Sequence, residues 1–293
     1  MIDQLSRRLF VKSSVFAAGM TSLGAVELAC PSQGDSCRWA LLSDTHIPAD
    51  KTEKYRGYSM IESMDAAVLG VTASKPDGIG ITGDIARLSG KSEDYLVVKE
   101  YVDKLTQVAP VFMALGNHDH FANFNAAFPS ASGEEAQVKG KHVTVVNSGP
   151  VRLIFLDSLQ ITNYVAGRLG QAQRNWLEKY LTESDKKPTI LLLHHSFRGG
   201  DDDLQDDLRF FKVIQPHRHV KAVFYGHSHC YRFSRQDDLD LINLPSAAYV
   251  FDDKLPVGWV DAEFTATGAS IKLRAIAGNK ADEGKVTEIK WRS

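Results

Sequence analysis

Five apolar runs in this chain end in side chains that bind metals or move protons. Leu41-Leu42 leads into Ser43-Asp44-Thr45-His46, and Ile79-Gly80-Ile81 into Thr82-Gly83-Asp84. Met113-Ala114-Leu115 leads into Gly116-Asn117-His118-Asp119, Leu191-Leu192-Leu193 into His194-His195, and Val223-Phe224-Tyr225 into Gly226-His227-Ser228-His229. Carboxylate, carboxamide and imidazole make the mixed oxygen and nitrogen set that suits Zn, Fe or Mn, and no thiolate is needed. In Asp44-x-His46 and His227-x-His229 the two groups stand two residues apart, so an extended backbone projects both to one side. Glycine precedes Asp84, Asn117 and His227, where a residue without a Cβ lets the chain turn sharply and pack close. Taken singly, each would read as a satisfied strand-end histidine or a turn aspartate. As an ordered set they read as one site.

Residues so far apart meet only if secondary structure brings them together. Short apolar runs at 39–42, 78–82, 111–115, 142–146, 151–156, 189–193 and 220–225 predict strands. Apolar residues recur at helical spacing over 59–73, 92–108, 171–181 and 203–214. Strands interleaved with helices are the pattern of an α/β domain, in which the carboxyl ends of neighbouring strands converge on one crevice. From about residue 246 the texture becomes β-rich, and 259–265 and 270–276 alternate around Ala266-Thr267-Gly268 as a hairpin would. The acidic run 201–207 reads as a helix N-terminus favoured by the macrodipole. His217 and His219 read as residues of a solvated loop, and Cys230 as a small buried hydrophobe.

With 293 residues, 43% hydrophobic and 24% charged, the chain can bury one large core, and no repeat or linker divides it. A formal net charge of -2 supplies no basic field, which argues against nucleic acid as a partner and against a nuclease. The N-terminus differs in kind. Ser6-Arg7-Arg8-Leu9-Phe10-Val11-Lys12 precedes a modestly apolar stretch to Ala29 and resembles a twin-arginine export signal. Thr21, Ser22 and Glu27 interrupt the stretch, which falls short of the ~20 apolar residues of a membrane span. Residues 1–29 are therefore expected to be a signal peptide and 38–293 the folded domain, with the twin-arginine export machinery as a partner and a periplasmic or extracellular destination. An oxidising compartment would permit a Cys30–Cys37 bridge; lipidation of Cys30, or its removal with the leader, stays open beside it.

In this order, Asp44-x-His46, Gly83-Asp84, Gly116-Asn117-His118-Asp119, His194 and Gly226-His227-x-His229 resemble the calcineurin-like metallophosphoesterase family, over roughly residues 40 to 230. The resemblance implies an α/β fold in which two β-sheets form a sandwich flanked by helices, with a two-metal centre at its edge. It places Asp44, His46, Asp84 and His229 around a first metal ion and lets Asp84 bridge to a second, held by Asn117, His194 and His227. Of the pair His194-His195, the family pattern selects the first. The two ions would be divalent or of mixed valence, with Mn, Fe and Zn all open. Against two carboxylates they leave a positive pocket, an anion receptor within an acidic protein, and phosphate is its natural guest.

The implied reaction is hydrolysis of a small phosphoester by a metal-bridging hydroxide, without a covalent enzyme intermediate. His118 would face the leaving group and Asp119 would hold its imidazole in register. Ser43 to His46 and Gly116 to Asp119 most resemble the bacterial cyclic-nucleotide and glycerophosphodiester branch, so a phosphodiesterase is expected. Purple-acid monoesterases carry a metal-binding tyrosine three residues after the bridging aspartate, where this chain has Arg87. A phosphomonoesterase or a nucleotide-diphosphate pyrophosphatase is the alternative, with a non-catalytic binding protein behind them, although no ligand is missing. Departures fall on the substrate rim. Ser196-Phe197-Arg198-Gly199-Gly200 stands where many phosphodiesterases have prolines, and Ala86-Arg87 takes the usual acidic or amide position. Arg87 and Arg198 read as exposed arginines, with phosphate contact as the alternative.

Overall fold

The computed structural model describes residues 27–30, 34–129 and 138–293. Two sheets lie face to face with helices on both outer sides. The six-stranded sheet has the order β15-β14-β13-β2-β5-β6, built from β2 (Ser36–Leu42), β5 (Gly78–Ile81), β6 (Val111–Met113), β13 (Pro256–Thr265), β14 (Gly268–Gly278) and β15 (Val286–Lys290). The seven-stranded sheet has the order β1-β7-β8-β9-β10-β12-β11. Its strands are β1 (Glu27–Cys30), β7 (Thr144–Ser148), β8 (Val151–Phe155), β9 (Thr189–Leu192), β10 (Val220–Tyr225), β11 (Arg232–Gln236) and β12 (Leu239–Asn243). A two-stranded hairpin, β3 (Lys54–Tyr55) and β4 (Tyr58–Ser59), stands apart.

Alternation along the strands builds the layers. Trp39 and Leu41 of β2 enter the core between the sheets with Phe155, Phe224 and Phe264, whereas Ala40 and Leu42 face α1 (Met60–Ser74) and α2 (Ser92–Thr106). On the far side, α4 (Gln171–Glu183) and α5 (Asp207–Ile214) cover Ile154, Leu191 and Val223. A sheet covered on both faces needs near-continuous apolar strands, which is why these runs stand out in the sequence. Trp39 is the pin between the layers: it is fully buried and its Nε1 donates to Ser148 Oγ at 3.0 Å. Trp39→Ala should lower unfolding free energy by about 3–5 kcal/mol, checked by denaturant titration. An unchanged midpoint would contradict this role.

The expected β-rich end is half of the six-stranded sheet and not an appendage, because β13 pairs antiparallel with β2 along Val260↔Leu41 to Thr265↔Ser36. Several elements carried little signal. The seven-residue α3 (Phe121–Ala127) is too short to show a periodicity, and β11 is an edge strand of polar residues. β12 and β15 are short, the first tight behind the Asp237-Asp238 turn.

Some expectations need correction. Helix α5 begins at Asp207, not 203, because the preceding carboxylates staple loops. Asp203 accepts from Arg198 N (3.0 Å) and Gly200 N (2.7 Å), while Asp206 accepts from Leu169 N (3.0 Å) and Gly170 N (2.9 Å) and pairs with Arg174. His219 is buried. Cys37 is a free, buried thiol, and burial pushes its pKa up to about 11. Cys230 is also free, and half-buried. The twin-arginine stretch lies outside the described residues, and the expected boundary at residue 29 falls within β1, which pairs with β7.

Candidate metal centre

The ends of β2, β5 and β6 from one sheet meet the ends of β9 and β10 from the other at the edge of the sandwich. There the structure brings Asp44, His46, Asp84, Asn117, His194, His227 and His229 together, all but His227 almost wholly buried. Two cradles form. In the first, His46 Nε2 and His229 Nε2 are 3.2 Å apart and Asp44 Oδ1 lies 3.4 Å from His229 Nε2. In the second, His194 Nε2 lies 3.2 Å from Asp84 Oδ2, 3.2 Å from Asn117 Oδ1 and 3.3 Å from His227 Nδ1. Asp84 belongs to both, since its Oδ2 is also 3.8 Å from His46 Nε2.

Backbone geometry forces this convergence. Asp44, His46, Asp84, His227 and His229 all have positive φ, between 42° and 71°. Each such residue costs about 1–3 kcal/mol and persists only where its surroundings over-determine it. The surroundings do so here: Asp44 N donates to Gly83 O (3.0 Å), His46 N to Asp84 O (2.9 Å) and Gly226 N to His194 O (2.9 Å). The carboxylates cross-link the loops as well. Asp44 accepts from His227 N at 3.0 Å and Asp84 from His118 N at 2.8 Å. Gly226 is required by space alone, because a Cβ there would strike Ser43 Oγ and the Asp44 carboxylate. Gly226→Ala should therefore displace Asp44, cost about 1–3 kcal/mol of stability and weaken metal uptake. Metal content and unfolding midpoint read both, and wild-type values for each would refute it.

The protonation states suit cation binding. Burial pulls His46 down to about 3 and His227 to about 4, which leaves both imidazoles neutral with a lone pair to offer. For Asp44 and Asp84 burial acts upward, but the surrounding imidazoles outweigh it and hold both below the ordinary carboxylate range. Burial likewise pulls on His194, yet the two carboxylates overcome it and raise His194 to about 9. A buried site that draws this much positive charge fits a metal centre. The far nitrogens are mostly fixed, as metal-binding histidines require: His194 Nδ1 by Thr82 O (3.1 Å), His229 Nδ1 by Tyr249 O (2.6 Å) and His227 Nε2 by Asp202 O (2.9 Å).

His118 sits at the mouth, with Nε2 4.0 Å from Asp84 Oδ2. Its Nδ1 meets Leu88 O at 2.5 Å and Asn163 Oδ1 at 3.4 Å. The expected partner, Asp119, is elsewhere. It is fully buried and accepts from Gly116 N (2.9 Å), Ile85 N (3.1 Å), Ala86 N (3.1 Å) and the Tyr95 hydroxyl (3.0 Å). Asp119 thus ties the loop after β6 to the loop after β5 and positions backbone, not the imidazole. Burial and the charge of Asp84 push its pKa up to about 6. His195 turns away: its Nδ1 meets Ser158 Oγ at 2.7 Å and its Nε2 Val165 O at 3.1 Å. Arg87 is neither exposed nor at the cavity. It is buried, pairs with Glu53 at 2.7 Å and lies over the Tyr55 ring. Sequence reasoning missed Leu88, Asn163, Tyr249 and Phe251. Leu88 acts through a carbonyl, which has no sequence signature, although its φ of 45° and that of Asn163 at 65° mark them as strained.

A cavity of about 420 Å³ opens over the cluster, lined also by Arg198, Asp201 to Asp203, Tyr249 and Phe251. A two-sheet sandwich with paired carboxylate and imidazole cradles at its edge is the architecture of metal-dependent phosphoester hydrolases. Residues 38–231 match the Calcineurin-like phosphoesterase family, and the chain belongs to it. Among curated proteins it is 29% identical to a 3′,5′-cyclic adenosine monophosphate phosphodiesterase of Escherichia coli over 248 residues, 78% of this chain and 85% of the relative. It is 23% identical to a glycerophosphodiester phosphodiesterase of Enterobacter lignolyticus over 223 residues, 72% of this chain and 77% of that protein. Its fold is similar to that of a dimetal phosphatase from Danio rerio, with TM-score 0.65, 15% identity and coverage of 87% and 99% of the two chains. Yellow lupin (Lupinus luteus) purple acid phosphatase gives TM-score 0.62 at 15% identity, covering 88% of this chain and 54% of that one.

Proposed function

We propose that this chain is an exported phosphodiesterase that holds two metal ions, with Asp44, His46, Asp84 and His229 around one and Asp84, Asn117, His194 and His227 around the other. The observation that carries the reading is the position of Asp84, within 3.8 Å of imidazoles in both cradles and 4.0 Å from His118 Nε2 at the cavity mouth. Metal ions bound there supply Lewis-acid charge for phosphate oxygens and activate water near neutral pH. The chain's own residues do the rest. Leu88 O accepts a hydrogen bond from His118 Nδ1, which turns Nε2 toward the cavity; in the imidazolium form Nε2 would give its proton to the departing oxygen and leave a neutral imidazole with its proton on Nδ1.

Hydrolysis of a diester in preference to a monoester is supported by two features. The named phosphodiesterases are relatives over most of the chain. In addition, Arg87, at the position of the purple-acid tyrosine, is engaged with Glu53 away from the cluster, so that position supplies no phenolate to the ligand set. The decisive comparison is turnover of bis(p-nitrophenyl) phosphate against p-nitrophenyl phosphate by metal-stripped protein resupplied with Mn, Zn or Fe. Metal-dependent preference for the diester is expected; preference for the monoester would overturn the diester reading.

Export rests on Arg7-Arg8 and the stretch that follows. Replacing both arginines with lysine should leave the protein in the cytoplasm, and unchanged export would refute a twin-arginine route. Among the described residues no helix is long and apolar enough to cross a membrane.

A further inference from the structure

The cavity has one aromatic wall that the hydrolytic chemistry does not use. Phe251 lines the cavity and is 52% exposed. It is held where it is from several sides. Its ring centroid lies 4.8 Å from that of the ligand His229 and 5.7 Å from that of Tyr249, with the Tyr249 ring perpendicular to it. The Arg56 guanidinium stands 5.3 Å from the ring centroid while its Nε donates to Val250 O at 3.0 Å and its Nη2 to Phe251 O at 3.1 Å. Arg56 itself is in the left-handed region, with φ 53° followed by Gly57 at 86°, in the two-residue turn between β3 and β4. A left-handed arginine is a strained choice for a hairpin turn, where Asn or Gly would serve without cost. Here the strain delivers a cation to the carbonyls of Val250 and Phe251 and to the Phe251 ring at the rim of the cavity.

We propose that Phe251 is a stacking platform for a planar aromatic heterocycle, so that the preferred substrate is a small phosphoester carrying a nucleobase rather than a glycerol or other aliphatic alcohol. This rests on the phosphodiesterase reading only for the linkage that is cut, not for the group that is recognised. Every nucleobase offers a π-face, and stacking on an aromatic side chain is tolerant of base identity. A ring backed by a guanidinium is already ordered, so little entropy is lost when a base settles on it. Distance agrees: Phe251 touches the ring of a residue of the first cradle, which places a stacked base within one nucleoside's reach of the phosphate site. The rim also limits length. Asp201 and Asp202 line the same cavity and repel a continuing phosphate backbone, which favours a mononucleotide over a nucleic acid strand.

Four substrates in two pairs separate the two ideas: adenosine 3′,5′-cyclic monophosphate and glycerophosphoethanolamine as diesters, adenosine 5′-monophosphate and glycerol 3-phosphate as monoesters. Diester against monoester tests the reaction; adenosine against glycerol tests the platform. The wild-type protein should favour the adenosine member within whichever pair it hydrolyses. Phe251→Leu keeps an apolar side chain of similar reach but has no π-face. It should lower the adenosine-to-glycerol ratio of kcat/KM about tenfold, carried by KM. Phe251→Trp should restore the ratio, and Arg56→Gly should fall between. Calorimetric affinities of adenosine 5′-monophosphate and glycerol 3-phosphate give the same ratio without turnover. A wild-type protein indifferent to adenosine, or a ratio that Phe251→Leu leaves unchanged, overturns the platform. A monoester preference with the adenosine ratio intact overturns only the diester reading.

Discussion

Asp84→Asn should nearly abolish turnover while leaving the fold intact. The amide has the shape of the carboxylate but carries no charge, and it stands where both cradles meet, 3.2 Å from His194 and 3.8 Å from His46. Metal centres of this kind supply several kcal/mol of transition-state charge stabilisation, and at 1.36 kcal/mol per decade the loss is about 10³-fold in kcat/KM. Metal content should fall as well, because a neutral amide draws cations weakly into a buried site. Element analysis, circular dichroism and kinetics on one preparation decide it. A variant with two ions and wild-type turnover would remove Asp84 from the centre of the mechanism.

His118→Ala tests a different step. Proton transfer by a positioned side chain contributes about 10²–10⁴-fold, so kcat should fall by that factor on diesters with alkoxide leaving groups. With p-nitrophenolate, which departs without a proton, the loss should be much smaller. His118 also stands within metal-binding reach of His46 and Asp84, so its role as donor rather than ligand needs a direct check. If it is a donor, the variant keeps the wild-type metal content; loss of an ion would make it a ligand. Equal losses for both leaving groups would count against proton donation.

The parts of this molecule that were readable are those where chemistry and burial coincide along the chain. Strands covered on both faces write continuous apolar runs, and the polar residues that end β2, β5, β6, β9 and β10 stand out against them. What stayed hidden depends on contacts across the sequence. Asp119 adjoins His118, and adjacency suggested a partnership, but its carboxylate is consumed by three backbone amides and the Tyr95 hydroxyl. Arg87 looked like a surface arginine until Glu53 and Tyr55 enclosed it. Asp203 and Asp206 looked like helix-terminal charges because nothing local reveals that Gly200, Leu169 and Gly170 compete for them. Phe251 and Arg56 are separated by most of the chain, and neither residue type announces the other.

The cradles draw their ligands from both sheets: Asp44, His46, Asp84 and Asn117 follow strands of one, and His194, His227 and His229 follow strands of the other. Ions bound there would tie the two layers at their edge, and the unfolded chain, with its loops apart, cannot hold them in the same way. Mass action then makes metal concentration a variable of folding. At a free concentration about 1,000 times the dissociation constant, a single such ion stabilises the native state by about 4 kcal/mol. Chelation should accordingly lower the melting temperature, and resupply should raise it with the logarithm of metal concentration. Scarcity of metal in the compartment where the chain folds would thus reduce the amount of protein that survives, and not only the activity of each molecule.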